Sequence, residues 1–225
     1  MVEFGDKIIH IGEEALHLNA GGALYWGTKK MLVVADLHLG KTAHFRKYGI
    51  PVPTTLLQDD LDRLTRIIGQ YQPKVLLVCG DMFHQDFNTD IQVFINWRNS
   101  IEGLAIWLVK GNHDRLSLQQ YEQMNIEIYY PSLQLGPFKF IHECKEHDEE
   151  LYSISGHLHP GVFIKGKAKQ AIKLPCFRVG MHSLVMPAFS FFTGLDVSKC
   201  EQQCSYYAIA GNDVILVPTI MHQPQ

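Results

Sequence analysis

The chain has 225 residues, 46% of them apolar and 19% charged, enough to bury a sizeable core. Its 20 Lys and Arg against 23 Asp and Glu leave a net charge of −3, which argues against a protein that coats long nucleic acid. Five cysteines in no regular framework fit a reducing compartment, no apolar run approaches the ~20 residues of a membrane span, and no signal peptide is visible, so a cytoplasmic location is expected.

In chain order, residues 7–10 and 15–18 alternate, and Gly21-Gly22 turns into residues 23–26. Together they predict a strand meander, with His10 and His17 as ordinary strand residues. The apolar run 31–35 reads as a buried strand and ends in Asp36-Leu37-His38-Leu39-Gly40-Lys41. In extended chain, residues i and i+2 point the same way, so Asp36 and His38 can reach one ion. Residues 41–53 mix Lys41, His44, Arg46 and Lys47 with Phe45 and Tyr48 before Pro51 and Pro53. That segment is either a solvated basic loop or a mobile one that grips phosphate and stacks a base.

Thr54 or Thr55 begins a helix whose Leu56, Leu57, Leu61, Leu64, Ile67 and Ile68 recur near the helical period. A second buried strand, 75–79, ends in Gly80-Asp81-Met82-Phe83-His84, and Asn88 can cap a helix through Ile91, Phe94, Ile95 and Trp97. A third, 104–109, closes in Gly111-Asn112-His113-Asp114, with a helix expected near 116–124. This β-α-β-α-β alternation predicts parallel pairing.

The second half is a series of short strand-like stretches: 126–130, 132–135, 138–141, 151–155, 161–164, 176–179, 183–185, 206–209 and 214–217. Gly, Pro and Asn punctuate them, predicting a second, largely antiparallel sheet. Residues 151–155 lead into Gly156-His157-Leu158-His159. The basic run Lys165, Lys167, Lys169 and Lys173 is either a solvated hairpin face or a second cationic flank for a polyanion. Cys200 and Cys204 are expected at the surface or in packing, with pairing or metal binding as alternatives. The fold class is α/β, two sheets face to face with helices outside, as one domain over 1–225. Four strand ends delivering Asp, His and Asn beside Gly form a metal site suited to Mn²⁺, Fe or Zn²⁺.

The ordered set Asp36-x-His38, Gly80-Asp81, Gly111-Asn112-His113-Asp114 and Gly156-His157-x-His159 resembles the calcineurin-like metallophosphoesterases. The flanks, residues 45–53, Gly80-Asp81-Met82-Phe83-His84, Leu174-Pro175-Cys176-Phe177 and Met186-Pro187-Ala188-Phe189 with Thr193-Gly194, are similar to a bacterial subgroup of phosphoesterase/endonucleases. That subgroup is associated with an ATP-dependent DNA ligase and a DNA-damage operon. The resemblance implies an αββα sandwich and two divalent ions, Mn²⁺ foremost, with Fe or Zn²⁺ as alternatives. It assigns Asp36, His38, Asp81 and His159 to one ion, and Asp81 as bridge with Asn112, His142 and His157 to the other. The family usually shows Gly beside the fourth-motif His, whereas Ile141 and Glu143 flank His142 here, which leaves His147 as a rival. The resemblance makes His113 the general acid; Asp114 either orients it or caps the next helix. His84 handles substrate or supports a ligand, and Lys41, Arg46 and Lys47 would bind substrate. It implies a Mn²⁺-dependent phosphodiesterase or endonuclease acting on DNA or another phosphodiester, within a DNA ligase/helicase repair system. The alternative is a phosphoesterase for nucleotides or cyclic nucleotides. A scaffold without catalysis is opposed by the complete ligand set.

Overall fold

Alternate residues of the buried strands feed two different cores, and that alternation sets the layers. The computed structural model describes residues 3–53, 55–84, 87–144, 150–165, 170–198 and 203–218. The first sheet holds β1 (Asp6–Ile11), β2 (Glu14–Asn19), β3 (Ala23–Trp26), β4 (Met31–Val34), β5 (Val75–Cys79), β6 (Ala105–Val109) and β7 (Ile126–Tyr129), in that order. Pairing is antiparallel from β1 to β4 and parallel from β4 to β7. The helices are α1 (Lys41–Lys47), α2 (Thr55–Tyr71), α3 (Thr89–Asn99) and α4 (Leu118–Gln123). Leu32, Val34, Leu76, Val78, Ile106 and Leu108 pack on one side of the sheet against Leu57, Leu61, Leu64, Ile67, Ile91, Phe94 and Tyr121 of α2, α3 and α4. Met31, Val33, Leu77, Cys79 and Val109, from the other side, meet the second sheet.

The second sheet comprises β8 (Ser132–Leu135), β9 (Phe138–Ile141), β10 (Tyr152–Ser155), β12 (Ala171–Val179), β13 (Ser183–Val185), β14 (Ser205–Ala210) and β15 (Asp213–Val217), with β11 (Gly161–Lys165) paired to β12. Its Phe138, Phe140, Ile154, Phe177 and Leu184 close the intersheet core, where Trp26 meets Phe138 edge-on at 4.8 Å between ring centroids. The expected α/β sandwich of two sheets is the observed architecture. On the described residues the helices lie outside the first sheet, while Val162 of β11 packs with Cys176 and Ala208 in a smaller cluster.

Several expectations are corrected. The sequence pattern places residues 126–130 in the second sheet, but β7 pairs parallel with β6, because α4 supplies the crossover that a parallel strand needs. The second sheet is mixed rather than largely antiparallel, since β10 runs parallel to both β9 and β13. β12 is longer than 176–179, starting at Ala171, with Pro175 inside it opposite Gly161. A proline there interrupts the strand signature without preventing the strand. Residues 41–47 are helical, not a loop. Cys204 is disulfide-bonded rather than merely packed; Cys200 lies outside the described residues, as do His147, Lys167 and Lys169. No described helix is long and apolar enough to cross a membrane.

Candidate metal centre

The loops leaving β4, β5 and β10 carry left-handed residues that are not glycine. Asp36 has φ 55°, His38 48°, Asp81 51°, His157 70° and His159 49°. Such backbone costs about 1–3 kcal/mol per residue and persists only where the surroundings enforce it. Here they do. Asp36 N–H donates to Gly80 O (3.1 Å), His38 N–H to Asp81 O (2.9 Å) and Leu39 N–H to Met82 O (2.9 Å). Asp36 and His38 therefore converge through two left-handed kinks, not through the extended geometry expected from their spacing.

Glycines make room for this convergence. A Cβ on Gly80 would lie 2.0 Å from His142 Nδ1, one on Gly111 2.3 Å from Asp81 Oδ1, and one on Gly156 2.6 Å from Asp36 Oδ2. Two carboxylate–imidazole groups result: Asp36, His38 and His159, and Asp81, His142 and His157, each with ligand atoms within 4.8 Å of one another. His159 Nε2 is 3.3 Å from Asp36 Oδ1. His142 Nε2 is 3.0 Å from Asn112 Oδ1, 3.0 Å from His157 Nδ1 and 3.5 Å from Asp81 Oδ1. Its Nδ1 lies 3.2 Å from Cys79 O, an acceptor that fixes the proton there and leaves Nε2 as a lone pair aimed inward. Among the described residues this places His142 at the site.

The donor set fits divalent cations. Asp36 is fully buried and its Oδ1, with His159 Nε2 beside it, receives no hydrogen bond, while both ring nitrogens of buried His38 lack a hydrogen-bond partner. Buried polar atoms are rarely left so, and converging lone pairs of oxygen and imidazole nitrogen are what a borderline divalent ion satisfies. Burial, reinforced by Lys41, drives the His38 imidazole down to about 2, so the ring is neutral, the form in which an imidazole can bind an ion.

Around these groups the other sequence candidates separate. The His113 ring sits 5.6 Å from that of His38, and its backbone N–H donates to Asp81 Oδ1 (2.9 Å). His84 stacks on His113 at 4.9 Å and 22°, and burial followed by the His113 charge lowers it to about 4. Asp114 neither holds the His113 ring through Nδ1, which has no partner, nor caps α4, which Ser117 caps. Its oxygens instead accept from the N–H groups of Phe83 and Gly111, both at 2.9 Å, tying the second and third loops together. Burial raises it to about 7.

Lys41, half-buried, feels both Asp36 and Asp81; burial pushes its ammonium below the usual range while the two carboxylates oppose that shift. Arg46 is not directed at the centre: it pairs with Asp90 at 3.0 Å. Lys47 is exposed. Lys173 donates to Leu195 O.

Sequence reasoning missed Asp90, whose Oδ2 accepts from Thr42 Oγ1 (2.6 Å) and Ala43 N–H (2.8 Å) and so fastens α1 to α3. It also missed Glu143, 3.8 Å from His157 Nε2, whose only signal was adjacency to His142. Phe192 was missed too; its ring lies 5.8 Å from Lys41 Nζ and 5.4 Å from Phe45.

A model of the calcineurin-like phosphoesterases matches residues 29–177. The Pseudomonas putida nuclease MPE is structurally similar, with a TM-score of 0.78 and 27% identity over 95% of this chain and all of that one. A phosphoesterase from E. coli, Yfce, aligns with a TM-score of 0.43 and 13% identity over 83% of this chain and 97% of that one. No curated protein matches.

Proposed function

Since the chain belongs to the calcineurin-like phosphoesterase family and is a metal-dependent phosphoester hydrolase, we propose that it is a Mn²⁺-dependent phosphodiesterase with endonuclease activity, working on DNA in cytoplasmic repair. The observation that carries this reading is the adjacency of the two carboxylate–imidazole groups, with His113 beside His38. Likeness to a nuclease over nearly the whole chain supports the substrate class. A DNA ligase/helicase system is the fitting partner, since cleaved strands need resealing.

Asp36, His38 and His159 would hold one ion, Asn112, His142 and His157 the other, with Asp81 serving both. Ions so bound would activate a water and neutralise the phosphate at neutral pH. Lys41, which feels both Asp36 and Asp81, would meet the charge on a non-bridging phosphate oxygen. His113, fixed by its backbone bond to Asp81, protonates the departing oxygen. Asp114 keeps the Asp81 and Asn112 loops in register, so the acid and the ligands approach the phosphate together.

A second reading, hydrolysis of nucleotides or cyclic nucleotides, is favoured by one observation: Arg46 is engaged by Asp90 rather than free for a polyanion. The deciding experiment is a Mn²⁺ assay of a nitrophenyl phosphodiester, a monoester, cyclic nucleotides and single-stranded, duplex and gapped DNA across a salt series. DNA cleavage that weakens with salt while dye hydrolysis holds supports the nuclease reading. Turnover confined to cyclic nucleotides or monoesters overturns it.

A further inference from the structure

One segment faces two sites. Phe189 N–H donates to Ala35 O (2.8 Å) and Ser190 N–H to Asp36 O (3.2 Å), which seats residues 189–192 on the first metal loop. Phe192 lies against Lys41 and Phe45, while its neighbour Phe191 covers Arg63, 3.6 Å from the guanidinium carbon. Beyond Phe191 opens a cleft of 840 Å³, within the ~300–1,000 Å³ range of small-molecule sites. None of the metal-ligand candidates lines it.

Its walls carry distinct chemistry. Asp59, Asp62 and Arg66 come from one stripe of α2, Asn212 from the β14–β15 turn, and the rings of Phe4 and Phe191 stand at its sides. Arg63 lines it too. Only 5% exposed, it is neutralised by Asp60 at 2.8 Å and held between Phe189 and Phe191, yet its Nε–H has no acceptor. With Arg63 neutralised, Asp59 and Asp62 outweigh Arg66, so the cleft has no excess of positive charge for a phosphate. A neutral ligand with an aromatic face, hydrogen-bond donors for the carboxylates and acceptors for Arg66 and Asn212 suits it. Phe191, 67% exposed and pinned from behind by Arg63, offers the stacking face.

We propose that this cleft binds a nucleoside, its base stacked on Phe191 and its hydroxyl and amino hydrogens donated to Asp59 and Asp62. The nucleoside can be free or can be one unit of a polynucleotide whose phosphate lies on the metal centre. The site itself does not depend on the metal chemistry.

The test uses the full chain stripped of metal by a chelator, titrated with adenosine, guanosine, cytidine and thymidine by saturation-transfer NMR. Saturable binding of at least one nucleoside is expected, with the base protons receiving most of the saturation. Phe191→Ala and Asp62→Ala, both at exposed positions, should each weaken it roughly 10-fold or more while the circular dichroism spectrum stays that of the unsubstituted protein. No saturable binding, or binding indifferent to both substitutions, overturns the proposal. The same variants in Mn²⁺ assays identify the source. A raised KM for DNA with unchanged dye hydrolysis assigns the nucleoside to a polynucleotide, whereas unchanged KM on both substrates assigns it to a free nucleoside.

Discussion

Asp36, His38, Asp81, His157 and His159 combine what a sequence displays with what it conceals. Their candidacy is legible because ion binding would restrict ligands to a few residue types, and the adjoining glycines are legible because a Cβ would strike Asp36, Asp81 or His142. Their left-handed backbone is not, since nothing local favours φ near +50° at histidine; the bonds between loops impose it. Asp114 was legible as a polar neighbour but not as the strut between Phe83 and Gly111, a tertiary contact invisible at the motif's own scale. Two predictions belong here. If Asp81 serves both ions, Asp81→Asn should abolish turnover and lower occupancy at both positions, whereas Asp36→Asn should chiefly empty the first. Elemental analysis finding two tightly held ions in Asp81→Asn would remove the bridging role. If His113 is the acid, His113→Ala should retain both ions while activity falls by roughly 10²–10⁴. That loss should shrink on a nitrophenol ester, whose leaving oxygen needs little protonation. An equal loss on both ester types would make His113 a positioning residue.

Helix α1 shows how an element can escape a sequence reading. Residues 41–47 carry no apolar stripe of helical period, and a helix of seven residues is too short to stand alone. It forms because α3 presents a ready anchor: Asn88 caps α3 and reaches Gly40 O at 3.1 Å, while Asp90 takes bonds from Thr42, Ala43 and Arg46. By contrast α2, with Leu57, Leu61, Leu64 and Ile67 on one face, was legible because its own periodicity specifies it. The anchor has a functional consequence, since α1 starts at Lys41. Asp90→Ala should cost about 2–4 kcal/mol, the order expected for losing several buried bonds to a charged acceptor. Amide exchange should accelerate across α1 with α2 unchanged, and KM should rise for dye and DNA alike as Lys41 loses its place. Unchanged protection of residues 41–47 would show that α1 stands without Asp90.

The whole molecule divides the centre between its sheets. Asp36, His38, Asp81 and Asn112 follow β4, β5 and β6 of the first sheet, whereas His142, His157 and His159 follow β9 and β10 of the second. That the site lies at strand ends was legible from apolar runs closing in Gly, Asp and His; that β9 and β10 lie parallel was not, because pairing depends on partners remote in sequence. A few bonds already link the sheets here, among them His157 N–H to Asp36 Oδ2 at 2.9 Å and the His142–Cys79 contact at 3.2 Å. Each carboxylate–imidazole group spans both sheets, so a bound ion would cross-link them and hold the left-handed loops against their strain. Ion binding should then be visible as stability, apart from any activity. At an ion concentration about 100-fold above Kd, one site contributes about 2.7 kcal/mol. For a chain of this length that corresponds to a rise in Tm of roughly 5–10 °C. Adding Mn²⁺ to chelator-stripped protein should produce this rise, and excess chelator should reverse it. His113→Ala should keep the full shift, while Asp81→Asn and His159→Ala should lose most of it. A Tm indifferent to Mn²⁺ in the unsubstituted protein, with binding confirmed by titration, would mean that the sheets are docked without the ions and that the strain in the loops is carried by backbone bonds alone.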